Sequence, residues 1–216
     1  MRESVSRGDR GTPDRNPSSS GHLRARAYGG VIGICASAGG PGALADVLGR
    51  LPAGFAIPIL VVQHMTPGFL GQMVAWLDKN LALPVGLADD GQQLAPGVWF
   101  APDGTHLRLE ATRRLRLDAD AMPGKHRPSG DVLLASLARV AGAQAVAVVL
   151  TGMGRDGAEG LAAVAGAGGR TIAQDEHSSG VYGMPRAAAE SGAKTVLCPT
   201  AIGDELAALD RVTAQP

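Results

Sequence analysis

Aromatic side chains are scarce in this chain, and neither sign of charge is in excess. Aromatic residues make up 3% of the 216 positions, which leaves few rings to stack on nucleic-acid bases. Twenty basic and twenty acidic residues give a formal net charge of +0, so no overall positive field attracts nucleic acid or anionic lipid. We therefore expect no nucleic-acid partner.

Cysteines and long apolar runs are also few. The two cysteines, Cys35 and Cys198, lie in apolar, strand-like segments and cannot supply a disulfide framework. No run approaches the roughly 18 apolar residues of a membrane helix, and the N-terminus lacks the apolar region of a secretory signal. The sequence predicts a cytoplasmic protein without membrane insertion.

The first 28 residues differ in composition from the rest of the chain. They combine six arginines with glycine, serine, proline and aspartate, and they contain almost nothing to bury. We expect residues 1–28 to form a disordered tail, whose arginines allow at most a weak contact with an acidic partner. Residues 29–216 are expected to form the folded domain.

Short apolar runs alternate with amphipathic helical patterns through this domain. The alternation predicts a doubly wound, mostly parallel α/β sheet with helices on both faces. Three short segments separated by proline and glycine, 98–100, 107–109 and 115–117, predict antiparallel hairpins at one edge of the sheet. Thr66 and Pro67 are expected to begin the helix that follows the second strand.

Three predicted strands end in residues with chemical capacity: Ser37, His64 and Asp156. The carboxyl ends of parallel strands lie at one edge of the sheet, so these side chains are expected to be close together. A hydroxyl, an imidazole and a carboxylate are what acyl transfer needs as nucleophile, base and orienting group. The order Ser, His, Asp differs from that of the α/β-hydrolases, and no G-x-S-x-G motif surrounds Ser37.

Each of the three residues also has a purely structural interpretation. Ser37 could cap the helix that begins near Pro41, and His64 could be an ordinary loop histidine. Asp156 could be a helix N-cap, with Glu159 three residues later completing a capping box. Spacing alone leaves these alternatives open.

The segment Gly152-x-Gly154-x-x-Gly157 supports a different function. It follows a predicted strand, opens a helix, and precedes Asp175 and Glu176 by about 20 residues, as in the dinucleotide-binding fingerprint. On this interpretation Asp175 or Glu176 binds the ribose of a nicotinamide cofactor. Against it, Asp156 would place a negative charge beside the pyrophosphate.

Metal-binding motifs are absent from the sequence. The histidines show no H-E-x-x-H spacing and no pairing with cysteine at ligand distances, and no metal is expected. Each is expected to be an ordinary surface or hydrogen-bonded side chain: His22, His64, His106, His126 and His177.

Taken together, the motifs resemble those of the CheB-type chemotaxis methylesterases, which act on methylated glutamates of chemoreceptors. They occur in family order from about Gly30 onward, and the combination is far more specific than any one of them. The matching stretches are Ile32-Gly33 with Ser37-Ala38-Gly39-Gly40, Gln63-His64-Met65 with Pro67-Gly68-Phe69, Ala101-Pro102-Asp103 with His106, His126-Arg127-Pro128-Ser129 with Asp131-Val132-Leu133, Leu150-Thr151-Gly152-Met153-Gly154 with Asp156-Gly157, and Ala173-Gln174-Asp175-Glu176 with Tyr182-Gly183-Met184-Pro185-Arg186.

The resemblance implies a protein-glutamate methylesterase without cofactor, acting on the cytoplasmic helices of chemoreceptors in chemotaxis adaptation. It implies Ser37 as nucleophile, His64 as general base and acid, and Asp156 as the carboxylate that orients His64. It also implies that backbone N–H groups around Met153 help to form an oxyanion hole. The same acyl-enzyme would form from glutamine, so deamidation is an expected second activity.

Two departures from the family pattern affect these expectations. Members usually carry an N-terminal receiver domain, whereas here only the short tail precedes the catalytic region. We therefore expect no control by aspartyl phosphorylation within this chain. The chain is either a shortened protein or a single-domain member of the family. A single-domain member would be regulated by a separate protein or not at all. Ala38 replaces the threonine that commonly follows the nucleophile, and this leaves the fine positioning of Ser37 open.

Two further interpretations remain for testing. A receptor-binding module that keeps the fold without catalysis is an alternative, although it would not need Ser37, His64 and Asp156 together. Cys35 is not expected to be a nucleophile, because a thiol within a buried strand is inert.

Overall fold

A computed structural model describes Met1 and residues 30–119 and 126–213 of the chain. The predicted disordered tail, apart from Met1, therefore lies outside the described residues. The helices are α1 Gly40–Leu48, α2 Leu70–Asn80, α3 Gly130–Ala141, α4 Ala158–Gly166, α5 Met184–Glu190 and α6 Pro199–Thr213. The strands are β1 Val31–Ala36, β2 Ile59–Gln63, β3 Val85–Leu87, β4 Val98–Phe100, β5 His106–Leu109, β6 Leu115–Asp118, β7 Ala145–Val149, β8 Arg170–Gln174 and β9 Thr195–Leu197.

Seven strands form one parallel sheet in the order β3-β4-β2-β1-β7-β8-β9. The chain moves from β1 to β2 on one side and later places β7 on the other side of β1. This reversal beside β1 is the position at which open α/β sheets usually bind their ligands. The doubly wound class predicted from the sequence is confirmed.

The central strands are buried on both faces, which explains their continuous apolar sequences. Ile32 and Ile34 of β1 belong to a core that includes residues of α1, α2 and α6. Val31 and Cys35 face the opposite way, into a second core formed with α3, α4 and the β5–β6 hairpin. Alternate residues of one strand thus anchor helices on opposite faces of the sheet.

The predicted hairpin region differs in one strand from the sequence expectation. β5 and β6 do pair antiparallel, as a separate two-stranded sheet. Val98–Phe100 instead pairs parallel with both β2 and β3 inside the main sheet. A three-residue strand is too short to show whether its partners run parallel or antiparallel.

The start of α2 also differs from the prediction. Thr66 and Pro67 precede the helix, which begins at Leu70 with Phe69 as the N-cap residue. Gly68 has φ 89°, a conformation that cannot belong to a right-handed helix. Within residues 30–119 and 126–213, none of the helices combines the length and apolar character needed to cross a membrane.

Candidate active site

Ser37 follows β1 directly and lies in a tight turn at the carboxyl edge of the sheet. Its N–H donates to the carbonyl of Thr151 at 3.0 Å, and its carbonyl accepts the N–H of Gly40 at 2.8 Å. Gly39, with φ 79° and ψ −6°, has the conformation of the third residue of a type II turn, which favours glycine. No side chain caps α1, so the interpretation of Ser37 as its cap is wrong.

His64 follows β2 and is the neighbour of Ser37 at the sheet edge, because Ala36 pairs with Gln63 in the parallel register. Its backbone N–H donates to the carbonyl of Ala36 at 2.9 Å. Its Nε2 lies 3.0 Å from Oδ2 of Asp156 and has no other polar partner among the described residues. The imidazole thus contacts a carboxylate from the other half of the chain.

Asp156 lies in the loop between β7 and α4, but its carboxylate binds the N-terminus of α3. Oδ1 accepts hydrogen bonds from the Ser129 hydroxyl at 2.8 Å and the Asp131 N–H at 3.1 Å. Oδ2 accepts the N–H of Gly130 at 2.6 Å. Helix N-termini favour negative charge, so α3 fixes the carboxylate while Oδ2 remains close to His64.

This environment controls the ionisation of Asp156. Burial by itself would raise the pKa of the carboxyl group, since it disfavours the charged form. The contact with His64 and the donors from Gly130, Asp131 and Ser129 outweigh burial, and they hold the pKa well below its usual range. Asp156 is therefore ionised at neutral pH.

Asp131, in the first turn of α3, reciprocates by binding the N-terminus of α4. Its Oδ1 accepts the N–H groups of Gly157 and Gly160, each at 2.9 Å. The capping box proposed for Asp156 is wrong, because the N-cap of α4 is Gly157 and has no side-chain cap. The amides that the dinucleotide interpretation reserves for a pyrophosphate are occupied by this carboxylate.

Met153 lies between Thr151 and Asp156 in a loop held against the turn that carries Ser37. The carbonyl of Gly152 accepts the N–H groups of Gly183 and Met184, and a Cβ added to Gly152 would lie 2.7 Å from the Cβ of Ser37. The Met153 side chain is 74% exposed, and its backbone N–H has no acceptor among the described residues. This loop brings an unused N–H group close to Ser37.

Comparison with known proteins identifies the family. A sequence model of the CheB methylesterase domain matches residues 32–206. The chain belongs to the CheB methylesterase family. The crystal structure of the Thermotoga maritima CheB methylesterase catalytic domain superposes with a TM-score of 0.80 at 38% identity, covering 84% of this chain and 98% of that one.

Curated relatives of the CheB family extend this similarity. A protein-glutamate methylesterase/protein-glutamine glutaminase from Rhizobium meliloti is 42% identical over 97% of this chain and 58% of its own length. Another from Myxococcus xanthus is 49% identical over 82% of this chain and 49% of its own length. The chain thus spans about half the length of these relatives.

The remaining residues that the sequence singled out lie either beside the contact between His64 and Asp156 or away from it. The ring of His126 packs against that of His64 at a tilt of 37°, with ring centroids 4.5 Å apart. His106 is buried without a hydrogen-bond partner among the described residues, and burial lowers its pKa. Asp175 binds Ser178 within its own loop. No group of three or more candidate ligands in the described part of the chain could hold a metal.

Cys35 is packed where α3 and α4 begin, against the glycines at their N-termini. A Cβ added to Gly130 would lie 2.5 Å from its Sγ atom. Burial raises the pKa of the thiol, and the charges of Asp156 and Asp131 raise it further. The thiol is protonated and inaccessible, which agrees with the expectation that Cys35 is no nucleophile.

Sequence reasoning missed the residues that support these loops. Thr151 donates its hydroxyl to the carbonyl of Ala38 at 2.9 Å and accepts the N–H of Val181 at the same distance. Gln63, the last residue of β2, donates its side-chain amide to the carbonyls of Ser37 and His64. A polar residue that ends an otherwise apolar, buried strand was the available signal.

Proposed function

We propose that this domain is a protein-glutamate methylesterase that hydrolyses glutamate methyl esters on chemoreceptors by a Ser37-His64-Asp156 mechanism. The observation that supports it most strongly is the 3.0 Å contact between His64 Nε2 and Asp156 Oδ2 next to Ser37. The relatives named methylesterase and glutaminase support the same activity. A silent binding module would have no need for a partly buried imidazole in contact with a buried carboxylate beside a serine.

The contact with Asp156 supports different roles for the two nitrogens of His64. Because Nε2 is the nitrogen in contact with the carboxylate, Nδ1 is the one left to accept the Ser37 proton. Ser37 Oγ then attacks the ester carbonyl, and ionised Asp156 stabilises the imidazolium that forms. Asp156 itself does not take up the proton.

Two backbone N–H groups are available for the oxyanion of the tetrahedral intermediate. The N–H of Met153 and that of Ala38, the residue after the nucleophile, have no acceptor among the described residues. Preorganised donors of this kind are often the largest single contribution to acyl-transfer catalysis. The methyl group of Ala38 takes no part, since the donor belongs to the backbone.

Both half-reactions follow from these roles. The intermediate collapses as the carbon–oxygen bond to the methoxy group breaks and His64 returns its proton to the leaving oxygen, releasing methanol. Water, deprotonated by His64, then attacks the acyl-enzyme, and the Ser37 oxygen leaves with that proton. With a glutamine substrate ammonia leaves in the first step, so deamidation uses the same groups.

The cleft beside His64 is suited to a side chain. It encloses about 120 Å³ and is lined in part by Met65, Pro67, Asp103 and His126. Pockets for drug-sized ligands measure roughly 300–1,000 Å³. The volume is that of a site for a small group, such as an amino-acid side chain of a protein substrate.

The test is methanol release from chemoreceptor membranes that carry labelled methyl groups. We expect the wild-type protein to release methanol and the Ser37→Ala variant to release none above the uncatalysed rate. A fluorophosphonate probe should label wild-type protein at Ser37, as identified by peptide mass. A folded wild-type protein that neither releases methanol from any receptor nor reacts at Ser37 would contradict the proposal, and receptor binding without hydrolysis would favour the silent module.

A further inference from the structure

The side chain of Gln63 connects the two loops that carry Ser37 and His64. Its Nε2 donates to the carbonyl of Ser37 at 2.9 Å and to the carbonyl of His64 at 2.8 Å. Gln63 is 2% exposed, so neither bond competes with bulk water. One buried amide thus fixes backbone groups on both sides of the candidate nucleophile and base.

The bond to the Ser37 carbonyl also determines where the next N–H points. The carbonyl of Ser37 and the N–H of Ala38 belong to one planar trans peptide, in which they point in opposite directions. Gln63 and Gly40 both donate to that carbonyl. The N–H of Ala38 is therefore turned away from them, and it has no acceptor among the described residues.

The orientation of the amide has an energetic cost that a purely structural side chain would avoid. Its Oε1 is buried and has no hydrogen-bond partner among the described residues. An unpaired buried acceptor is destabilising, because it has lost its hydrogen bonds to water without gaining others. Gly40 leaves room for this oxygen, since an added Cβ there would lie 2.1 Å from Oε1.

We propose that Gln63 is a positioning residue of the esterase, which holds the Ser37–Ala38 peptide so that the Ala38 N–H faces the developing oxyanion. This inference rests on the proposed function. Gln63 does not touch the substrate, and it acts through the backbone of Ser37, Ala38 and His64. Its removal should impair the chemical step and leave substrate binding largely unchanged.

The experiment compares Gln63→Met and Gln63→Glu with wild-type protein. Neither replacement side chain has an N–H donor, and both are close to glutamine in size. We expect kcat to fall about 10- to 100-fold, somewhat less than the loss of a whole oxyanion donor, while KM stays within about twofold. Phosphonylation of Ser37 by a fluorophosphonate should slow in parallel, because its tetrahedral product needs the same N–H groups.

Gln93→Met is the matched control. The Gln93 amide also donates to a backbone carbonyl, that of Arg113 at 3.1 Å, but on the exposed surface. We expect wild-type kcat from this variant and an unchanged melting temperature. A normal kcat in folded Gln63→Met protein would overturn the inference, and so would a rise in KM with kcat unchanged.

Gly40→Ala tests the same peptide if the Gln63 variants do not fold. The added Cβ would lie 2.1 Å from Oε1 and 2.9 Å from the Cβ of Ala36, so it displaces the amide without removing it, and Gly40 does not need a positive φ. We expect the same fall in kcat, with KM within about twofold of wild type. Folded Gly40→Ala protein with wild-type kcat would overturn the inference. Wild-type protein without reaction at Ser37 would instead contradict the proposed function itself.

Discussion

The N-termini of α3 and α4 each bind a carboxylate that the other segment supplies. Asp156, just before α4, accepts hydrogen bonds from the start of α3, and Asp131, in α3, accepts two from the start of α4. The two arrangements are similar in burial and in their backbone donors. The Asp156 carboxylate in addition lies 3.0 Å from His64. The two helix N-termini thus hold each other through their carboxylates, and only one of these two carboxylates also contacts an imidazole.

Asp156→Asn separates these two roles with the largest expected effect. The amide keeps the shape of the side chain. Either its NH2 group or its uncharged oxygen, which is a weaker acceptor, must replace the charged Oδ2 beside His64. We expect kcat to fall about 10³- to 10⁴-fold, as for loss of the orienting carboxylate in serine proteases. Methanol release measures it, with Asp131→Asn as the matched control. Equal losses in both variants would break the comparison, since they would show that capping alone controls activity.

Asp131→Ala is expected to affect stability more than activity. It leaves the N–H groups of Gly157 and Gly160 without their acceptor in a buried position. We expect the free energy of unfolding to fall by about 1–3 kcal/mol. Urea denaturation measures this loss, and kcat of the folded fraction should stay within a few-fold of wild type. A loss of activity as large as that of Asp156→Asn would contradict the assigned roles.

Acid should distinguish wild-type protein from the Asp156→Asn variant. The folded state lowers the pKa of Asp156, so its contribution to stability is complete above the unfolded pKa of about 3.9. That contribution declines as the pH falls below this value towards the folded pKa. We therefore expect a shallower loss of unfolding free energy in Asp156→Asn between about pH 4 and pH 2, measured by denaturation at several pH values. Identical slopes would show that the carboxylate is not stabilised as the structure indicates.

Cys35→Ala should have the smallest effect of the four changes. The thiol fills space between the starts of α3 and α4, and as an uncharged group it forms no ion pair with either carboxylate. Loss of one buried heavy atom should cost about 1 kcal/mol, while kcat stays within about twofold. Cys198→Ala is the matched control, because that side chain is only half buried. Inactive Cys35→Ala protein with normal stability would reopen the question of a thiol nucleophile.

The sequence predicted the general position of the site, because parallel strands place Ser37, His64 and Asp156 at one edge. It could not predict which partner each side chain would choose. Asp156 and Glu159 have the spacing of a capping box, yet the carboxylate binds α3, which precedes it by 26 residues at Gly130. The tertiary packing of two helix N-termini determines which helix the Asp156 carboxylate binds. Local spacing contains no information about that packing.

The supporting groups were hidden for a related reason. Gln63 reaches Ser37 only because the parallel register sets it opposite Ala36, and a register cannot be read from either strand alone. The parallel pairing of Val98–Phe100 was missed for the same reason. Conversely, the alternation of short apolar runs with helical patterns predicted that strands and helices alternate along the chain, since local pattern is sufficient there.

The reversal of the chain beside β1 has a consequence for synthesis. Ser37 and His64 come from neighbouring early strands, whereas Asp156 comes from a segment that leaves the ribosome much later, at about 5–20 residues per second. A nascent chain can therefore form the β1–β2 pair before the carboxylate exists. On the proposed mechanism, hydrolysis begins only after the second half has docked, so that turnover would report the completion of folding.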